Sequence, residues 1–376
     1  MTTIHRAAIP VVGHRPSCMI SLMFSRRRFA MLGVALAVAG TALVGCSDSD
    51  STSAPVRFMV ANRVINLGHT QLAVAAENGY YGKSEVKYLT SDGTAATVQS
   101  IASGTADMGQ ADTLALAAAA AKGVKSVTAV CSYVAANIYQ LLVSDSSDIR
   151  SVKDLKGKRI GMTSLGTGTY YNAVLALKSV GLTEKDVKFV TIGSPQAQLD
   201  ALKKGQLDAL SAIDVSIGTF QNLGAKLRTL DFDGATKWQW NVVVAKNDFL
   251  KKRPDAVAAV CKGIQSAELF VTKNPAAALA SFKDWGGDVG TLSESQNINI
   301  IKSRSVTGFV THPEGDDKWG WLPVDEMDGL AKSYQQLGLY DKPVVVSSIY
   351  TNELLDKVQP DKAKVDTDLE EARERK

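Results

Sequence analysis

From Val56 onward, short apolar runs alternate with longer stretches of helical spacing. Residues 56–61 (VRFMVA), 86–91 (VKYLTS) and 125–134 (KSVTAVCSYV), rich in β-branched and aromatic residues, predict strands, and the short stretch 106–111 (ADMGQA) reads as another. Between them, residues 71–81 (QLAVAAENGYY), 94–103 (TAATVQSIAS) and the alanine-rich stretch 113–122 predict helices, the last two stopped by Gly104 and Gly123. Strands alternating with helices of this length predict βαβ units and a mainly parallel sheet.

The pattern then repeats. At an offset of 101 residues, Val86 meets Val187, Thr90 meets Thr191, Gly104 meets Gly205, Asp107 meets Asp208 and Gly123 meets Gly224. The apolar run 141–143 (LLV) falls on 242–244 (VVV) at the same offset, and one gap upstream sets Gly79 opposite Gly181 and Arg57 opposite Arg159. The period exceeds that of solenoids. Whether by duplication or by shared βαβ grammar, the chain encodes two α/β lobes. The apolar strands near 138–144 and 240–246 are the two crossings, so the residues after them return to the first lobe. The expected division is 56–138 for the first part of lobe 1, 139–242 for lobe 2, 243–360 for the return, and 361–376 (DKAKVDTDLEEARERK) for a charged, solvated tail.

Charge changes the picture only at the N-terminus. The net charge of +4 includes Arg6, Arg15, Arg26, Arg27 and Arg28, and removing these five leaves the remainder at −1, so nothing steers the body towards nucleic acid. Ser25-Arg26-Arg27-Arg28-Phe29, an apolar run to Val44, and Leu43-Val44-Gly45-Cys46 read as a twin-arginine-like export signal (1–45) ending in a lipobox. Cys46 is then the expected lipidation site, and residues 46–55 a polar tether. Cys131 and Cys261 lie in apolar runs, as buried thiols or a disulfide. No cysteine–histidine cluster offers a metal site.

Three stretches carry a family resemblance: SIASGTADMGQADTLALAAAAAKG (100–123), SVKDLKGKRIGMTSLGTGTYYNAVLALKSVGL (151–182) and VVVAKNDFLKKRPDAVAAVCKGI (242–264). Residues 56–359 resemble a periplasmic substrate-binding protein of an ABC importer, in the group serving alkanesulfonates, taurine, nitrate and the thiamine pyrimidine precursor. The resemblance implies a two-lobed (type II-like) α/β fold with two crossing hinge strands. It also implies a ligand cleft between the lobes, an ABC permease as partner, no cofactor and no catalysis, and a monomer held to the membrane by its lipid. In place of the Trp-Asp-Pro that many relatives carry after the second repeated segment, this chain has Asp214-Val215-Ser216. The substrate is therefore not transferred.

Candidate contacts lie where strands feed loops, since open parallel sheets bind ligands beyond their strands' carboxyl ends. Ser164-Leu165-Gly166-Thr167-Gly168-Thr169 precedes a helix expected near Tyr170, where free N–H groups favour a sulfonate or carboxylate. Ser91 and Thr94 form the equivalent loop of lobe 1, with Asp92 expected to cap its helix. Asn66 and His69 follow the first strand. Gln110, Asp112 and Asp214 end the third strand of each lobe, where the acids serve either a cationic ligand or the local backbone. Tyr139 sits at the outgoing crossing, and Trp238 and Trp240, two residues apart, are candidates to stack on a planar ligand. Asp107 and Asp208 are expected to hold turns rather than ligand.

Enzyme motifs do not assemble. Gly82-Lys83-Ser84 lacks the first glycine of a P-loop, with Glu77 in its place, and His69 and His312 are the only histidines beyond the signal. The alternatives to importing an organic anion are a nitrogen-containing or pyrimidine-type ligand, ligand sensing rather than transport, and a thiamine pyrimidine synthase-like enzyme.

Overall fold

The computed structural model describes residues 54–232, 240–309 and 318–374. The export signal, Cys46, Trp238 and His312 lie outside the described residues. The described residues open with β1 (Val56–Val60), α1 (Thr70–Glu77), β2 (Val86–Thr90), α2 (Thr94–Ser103), β3 (Met108–Asp112), α3 (Thr113–Ala121) and β4 (Val127–Val134). The same order follows with β5 (Tyr139–Ser144), β6 (Arg159–Met162), α4 (Gly168–Ser179), β7 (Lys188–Thr191), α5 (Pro195–Lys203), β8 (Ala209–Ile213), α6 (Asp214–Asn222) and β9 (Leu227–Thr229). The return comprises β10 (Asn241–Lys246), α7 (Asn247–Lys252), α8 (Pro254–Lys273), α9 (Pro275–Asp284), α10 (Glu294–Gly308), α11 (Val324–Gln336) and α12 (Lys362–Glu374).

Among the described residues two five-stranded sheets form, ordered β2-β1-β3-β10-β4 and β7-β6-β8-β5-β9. In each, three parallel strands are joined by one antiparallel strand delivered by a crossing. Side chains alternate between sheet faces, so Val243 and Ala245 of β10 join the core under α1, α8 and α9, while Val242 and Val244 join the core under α2 and α3. β10 begins at Asn241, so the return starts two residues earlier than the sequence division set it.

The repeat has a structural cause. Asp107 accepts from the Arg57 backbone N–H at 2.9 Å and from its guanidinium Nε at 3.0 Å and Nη2 at 2.6 Å. Asp208 binds Arg159 through the same three groups at 2.8, 2.8 and 2.9 Å. Each aspartate thus ties the start of a lobe's third strand to the start of its first, and Arg159 in turn holds the Asp208 carboxyl below its ordinary range. Gly104 and Gly205 both take positive φ, 84° and 66°, where a side chain would be strained.

At the crossings the sequence alignment needs correcting by one residue. Asp112 pairs with Asn241 and Ile213 with Tyr139, so β5 and β10 correspond at an offset of 102, not 101. The third strands keep the offset of 101, which sets Asp112 opposite Ile213 and Thr113 opposite Asp214.

The C-terminal segment returns to the first lobe, where Ala129 bridges Tyr350. Helix α12 is not a solvated tail: Val365 and Leu369, four residues apart, are 0% and 4% exposed in the first-lobe core. Cys131 of β4 and Cys261 of α8 form a disulfide, both residues fully buried. One turn along α8, Gln265 donates to the Ser132 carbonyl at 2.9 Å, so helix and strand are registered twice.

Candidate functional site

A cavity of about 60 Å³ lies where the loops of the two lobes meet. The first lobe contributes Asn62, Asn66, Gly68 and His69 after β1, Thr94 at the start of α2, and Gln110 from β3. The second contributes Thr163, Thr167, Gly168 and Thr169 around the start of α4, and Ile213 at the end of β8. Tyr139 and Asn241, the first residues of the two crossing strands, line it, as do Tyr133, Ile138 and Arg304 of α10.

Helix α4 begins at Gly168, two residues before the expected start, with Thr167 as its N-cap. The Thr167 side chain does not cap the helix, and its hydroxyl lies 2.7 Å from the Ser164 carbonyl and 2.9 Å from the Thr169 hydroxyl. The Tyr139 ring packs so tightly on Gly168 that a Cβ there would overlap it. Asn241 donates to the Tyr139 hydroxyl at 2.9 Å, fixing the ring in that position.

His69 is 4% exposed. Its Nδ1 faces the Asn66 N–H at 3.3 Å, and its Nε2 lies 3.3 and 3.4 Å from the side-chain amides of Asn62 and Gln110. Burial first, then the Arg304 charge, push its pKa down to about 3, so the ring is neutral at physiological pH. Nδ1 accepts from the Asn66 N–H, and the atoms nearest Nε2 are the amide nitrogens of Asn62 and Gln110.

The two acids at the strand ends are consumed by the protein. Asp112 is fully buried and accepts from the Ala115 N–H at 2.7 Å and the Thr94 hydroxyl at 2.5 Å, capping α3. Burial pushes its pKa up to about 6 against the pull of those hydrogen bonds. Asp214 accepts from Arg304 Nε and Nη2, both at 2.8 Å, with both side chains almost wholly buried. Neither carboxylate lines the cavity, so the cationic-ligand role considered for them gives way to structural ones.

Eight of the expected contacts line the cavity: Asn66, His69, Thr94, Gln110, Tyr139, Thr167, Gly168 and Thr169. Others do not. Ser91 bonds back to the Val60 and Gly93 carbonyls and to Thr97, the Ser164 carbonyl accepts from Thr167 within its loop, and the Gly166 carbonyl lies 3.4 Å from the Thr94 hydroxyl of the first lobe. Asp92 does not cap α2, whose N-cap is Gly93, but pairs with Arg63 at the surface. Trp240 is 2% exposed and packs edge-on against Trp321 in the first-lobe core, because it precedes a strand whose neighbours face inward on both sides. Arg304 was not foreseen; it lies in a polar helix with no motif around it. Tyr133, read only as part of a strand, brings a hydroxyl with no partner among the described residues, as does the Gln110 Oε1 atom.

The taurine-binding periplasmic protein of Escherichia coli (strain K12) is 25% identical over 273 residues, 71% of this chain and 76% of that protein. Among solved structures, the alkanesulfonate-binding protein SsuA from Xanthomonas axonopodis pv. citri bound to MOPS superposes with a TM-score of 0.61 at 18% identity, over 80% of this chain and 98% of that one. The desulfurization enzyme DSZB gives a TM-score of 0.50 at 15% identity, over 81% and 98%. The fold is that of the periplasmic binding proteins. With the NMT1/THI5-like pattern matching residues 66–278, more than half of its length, the chain belongs to the NMT1/THI5-like family.

Proposed function

We propose that this protein captures a small organic anion, a sulfonate or carboxylate, in the cavity between its lobes and delivers it to the permease of an ABC importer. The observation that carries the reading is the charge of the lining: among the described residues, one guanidinium, a neutral imidazole, the start of α4, and no carboxylate. A helix N-terminus and a buried arginine both favour a negative group. The sulfonate and taurine proteins among its relatives bind such groups by their names.

Binding rather than catalysis is the better-supported use of these residues. His69 Nε2 meets two amides, not a hydroxyl or thiol that it could activate. The buried disulfide supports an oxidising compartment, in keeping with an exported protein anchored through Cys46.

A thermal-shift and titration panel on the chain from Ser47 onward tests the reading, with ethanesulfonate, taurine, acetate, benzoate, nitrate and an aminopyrimidine as ligands. A ligand at about 100 times its Kd adds about 2.7 kcal/mol, roughly 5 °C in Tm. A response to anions supports the proposal. Response to the aminopyrimidine alone, or to none in a folded protein, refutes it.

A further inference from the structure

The Arg304–Asp214 pair is the inner end of a longer seam. Helices α6 and α10 run antiparallel, and three successive turns of α6 meet α10 through Asp214, Gly218 and Asn222. At the outer end, Asn222 donates to the Gln296 carbonyl at 2.9 Å, and Gln296 returns the bond to the Asn222 carbonyl at 3.3 Å. In the middle, a Cβ on Gly218 would sit 2.7 Å from Ser303 Oγ and 3.5 Å from the Ile300 backbone. At the inner end, Arg304 reaches across to Asp214 and places Nη1 3.4 Å from the Gly68 carbonyl. Gly68 is itself pressed between Asn66, Val215 and Arg304, at 3.1, 3.3 and 3.6 Å from where its Cβ would be. Two glycines, one from each lobe, therefore bracket the charged pair.

Asp214 occupies the Nε–Nη2 edge of the guanidinium, which sets the direction of the remaining N–H groups. The reach of Arg304 into the cavity wall thus depends on how closely α10 seats on α6. Gly218 lies one helical turn, about 6 Å along the axis, from Asp214 and does not line the cavity. We propose that Gly218 is a positioning residue for ligand binding: by letting α10 lie close on α6, it holds Arg304 where the ligand's anionic group meets it. The ligand part of this inference rests on the anion-binding reading above; the placement of Arg304 does not.

The test is Gly218→Val in the chain from Ser47, with two readouts. The Arg304 Nε–H resonance, assigned by its loss in Arg304→Lys, reports the bidentate pair directly. Titration with ethanesulfonate and with its uncharged analogue ethanesulfonamide reports the use of that charge. The expected result is a shifted or broadened Nε–H signal and a loss of about tenfold or more in ethanesulfonate affinity, with ethanesulfonamide affected far less. If Gly218→Val does not fold, Gly218→Ala gives the same effects in smaller measure, and adding Ser303→Ala, which removes the clashing Oγ, restores both readouts. An unchanged Nε–H signal in a folded Gly218→Val protein overturns the inference whatever binds. An equal loss for both ligands overturns its ligand part. If the wild type binds no anion, the functional reading falls, while the resonance still decides the seam.

Discussion

His69 should make the protein lose stability on mild acidification in a way that can be isolated. Its pKa in the fold is pushed down to about 3, against an ordinary 6.5, because the ring is buried and faces Arg304. The unfolded chain therefore takes up the proton first as pH falls, so the stability due to this residue is whole above about pH 7 and drains away between there and about pH 3. From pH 7.5 to 5.5 the linkage relation gives a loss on the order of 1 kcal/mol. The net change in the wild type is smaller or reversed. Asp112, pushed up to about 6, works in the opposite direction and offsets a loss of the same order over this interval. Glu268, raised by burial although the Arg304 charge pulls it down, adds to that gain. The measurement must therefore be a double difference: urea unfolding at both pH values, for wild type and His69→Asn. The wild type should lose about 1 kcal/mol more than the variant on acidification. A double difference within about 0.5 kcal/mol of zero would mean that His69 titrates in the fold as it does in the open chain. The imidazole in the cavity wall would then take up a proton as the pH falls through about 6.5, and the charge pattern on which the ligand assignment rests would hold only above that pH.

Three further outcomes follow from the packing. Replacing Cys131 and Cys261 together by alanine should cost about 2–5 kcal/mol, since the disulfide spans 130 residues; urea midpoints read it, and an unchanged midpoint denies the bond a structural role. Gly168→Ala drives a Cβ into the Tyr139 ring and should cost about 1–3 kcal/mol in thermal unfolding, largely recovered by adding Tyr139→Leu; no recovery would mean the strain lies elsewhere. Val365→Ala with Leu369→Ala should cost about 3 kcal/mol or more by denaturant titration, whereas a solvated tail would show no change.

Much of the skeleton was legible because it depends on local rules. Helices α2 and α5 stop at glycines, strands alternate with helices, and the Arg–Asp ties recur at matching positions, so the repeat could be read before any contact was known. Cavity residues at loop starts, such as Asn66, His69 and Thr94, followed from the same logic. What resisted reading was long-range or one residue wide. Arg304 is 90 residues from Asp214 and sits in a helix with weak apolar patterning, so nothing local announces that its charge is buried. Its place just before a crossing strand made Trp240 a candidate to stack on a ligand, but β10 is sandwiched between two helical layers, and an inward ring finds core on either side. The signal for α12 was present in Val365 and Leu369, one turn apart, and was outweighed by the surrounding charge.

The duplicated pattern also bears on why the cavity is not duplicated. Asp107 and Asp208 hold their arginines alike, and the sheets share one strand order, so the scaffold is the half that the two copies have in common. At the carboxyl ends the copies part company. Asp112 caps α3 and orients Thr94, but the residue matching it is Ile213, and the next one, Asp214, turns to Arg304 from the return segment. Tyr139 and Asn241 occupy equivalent positions on the two crossing strands and meet each other across the base of the cavity. The asymmetric pair closes the cavity floor from one lobe and fixes that closure from the other. A ligand held there touches both halves of the hinge, which is the geometry that lets ligand binding be felt as lobe closure.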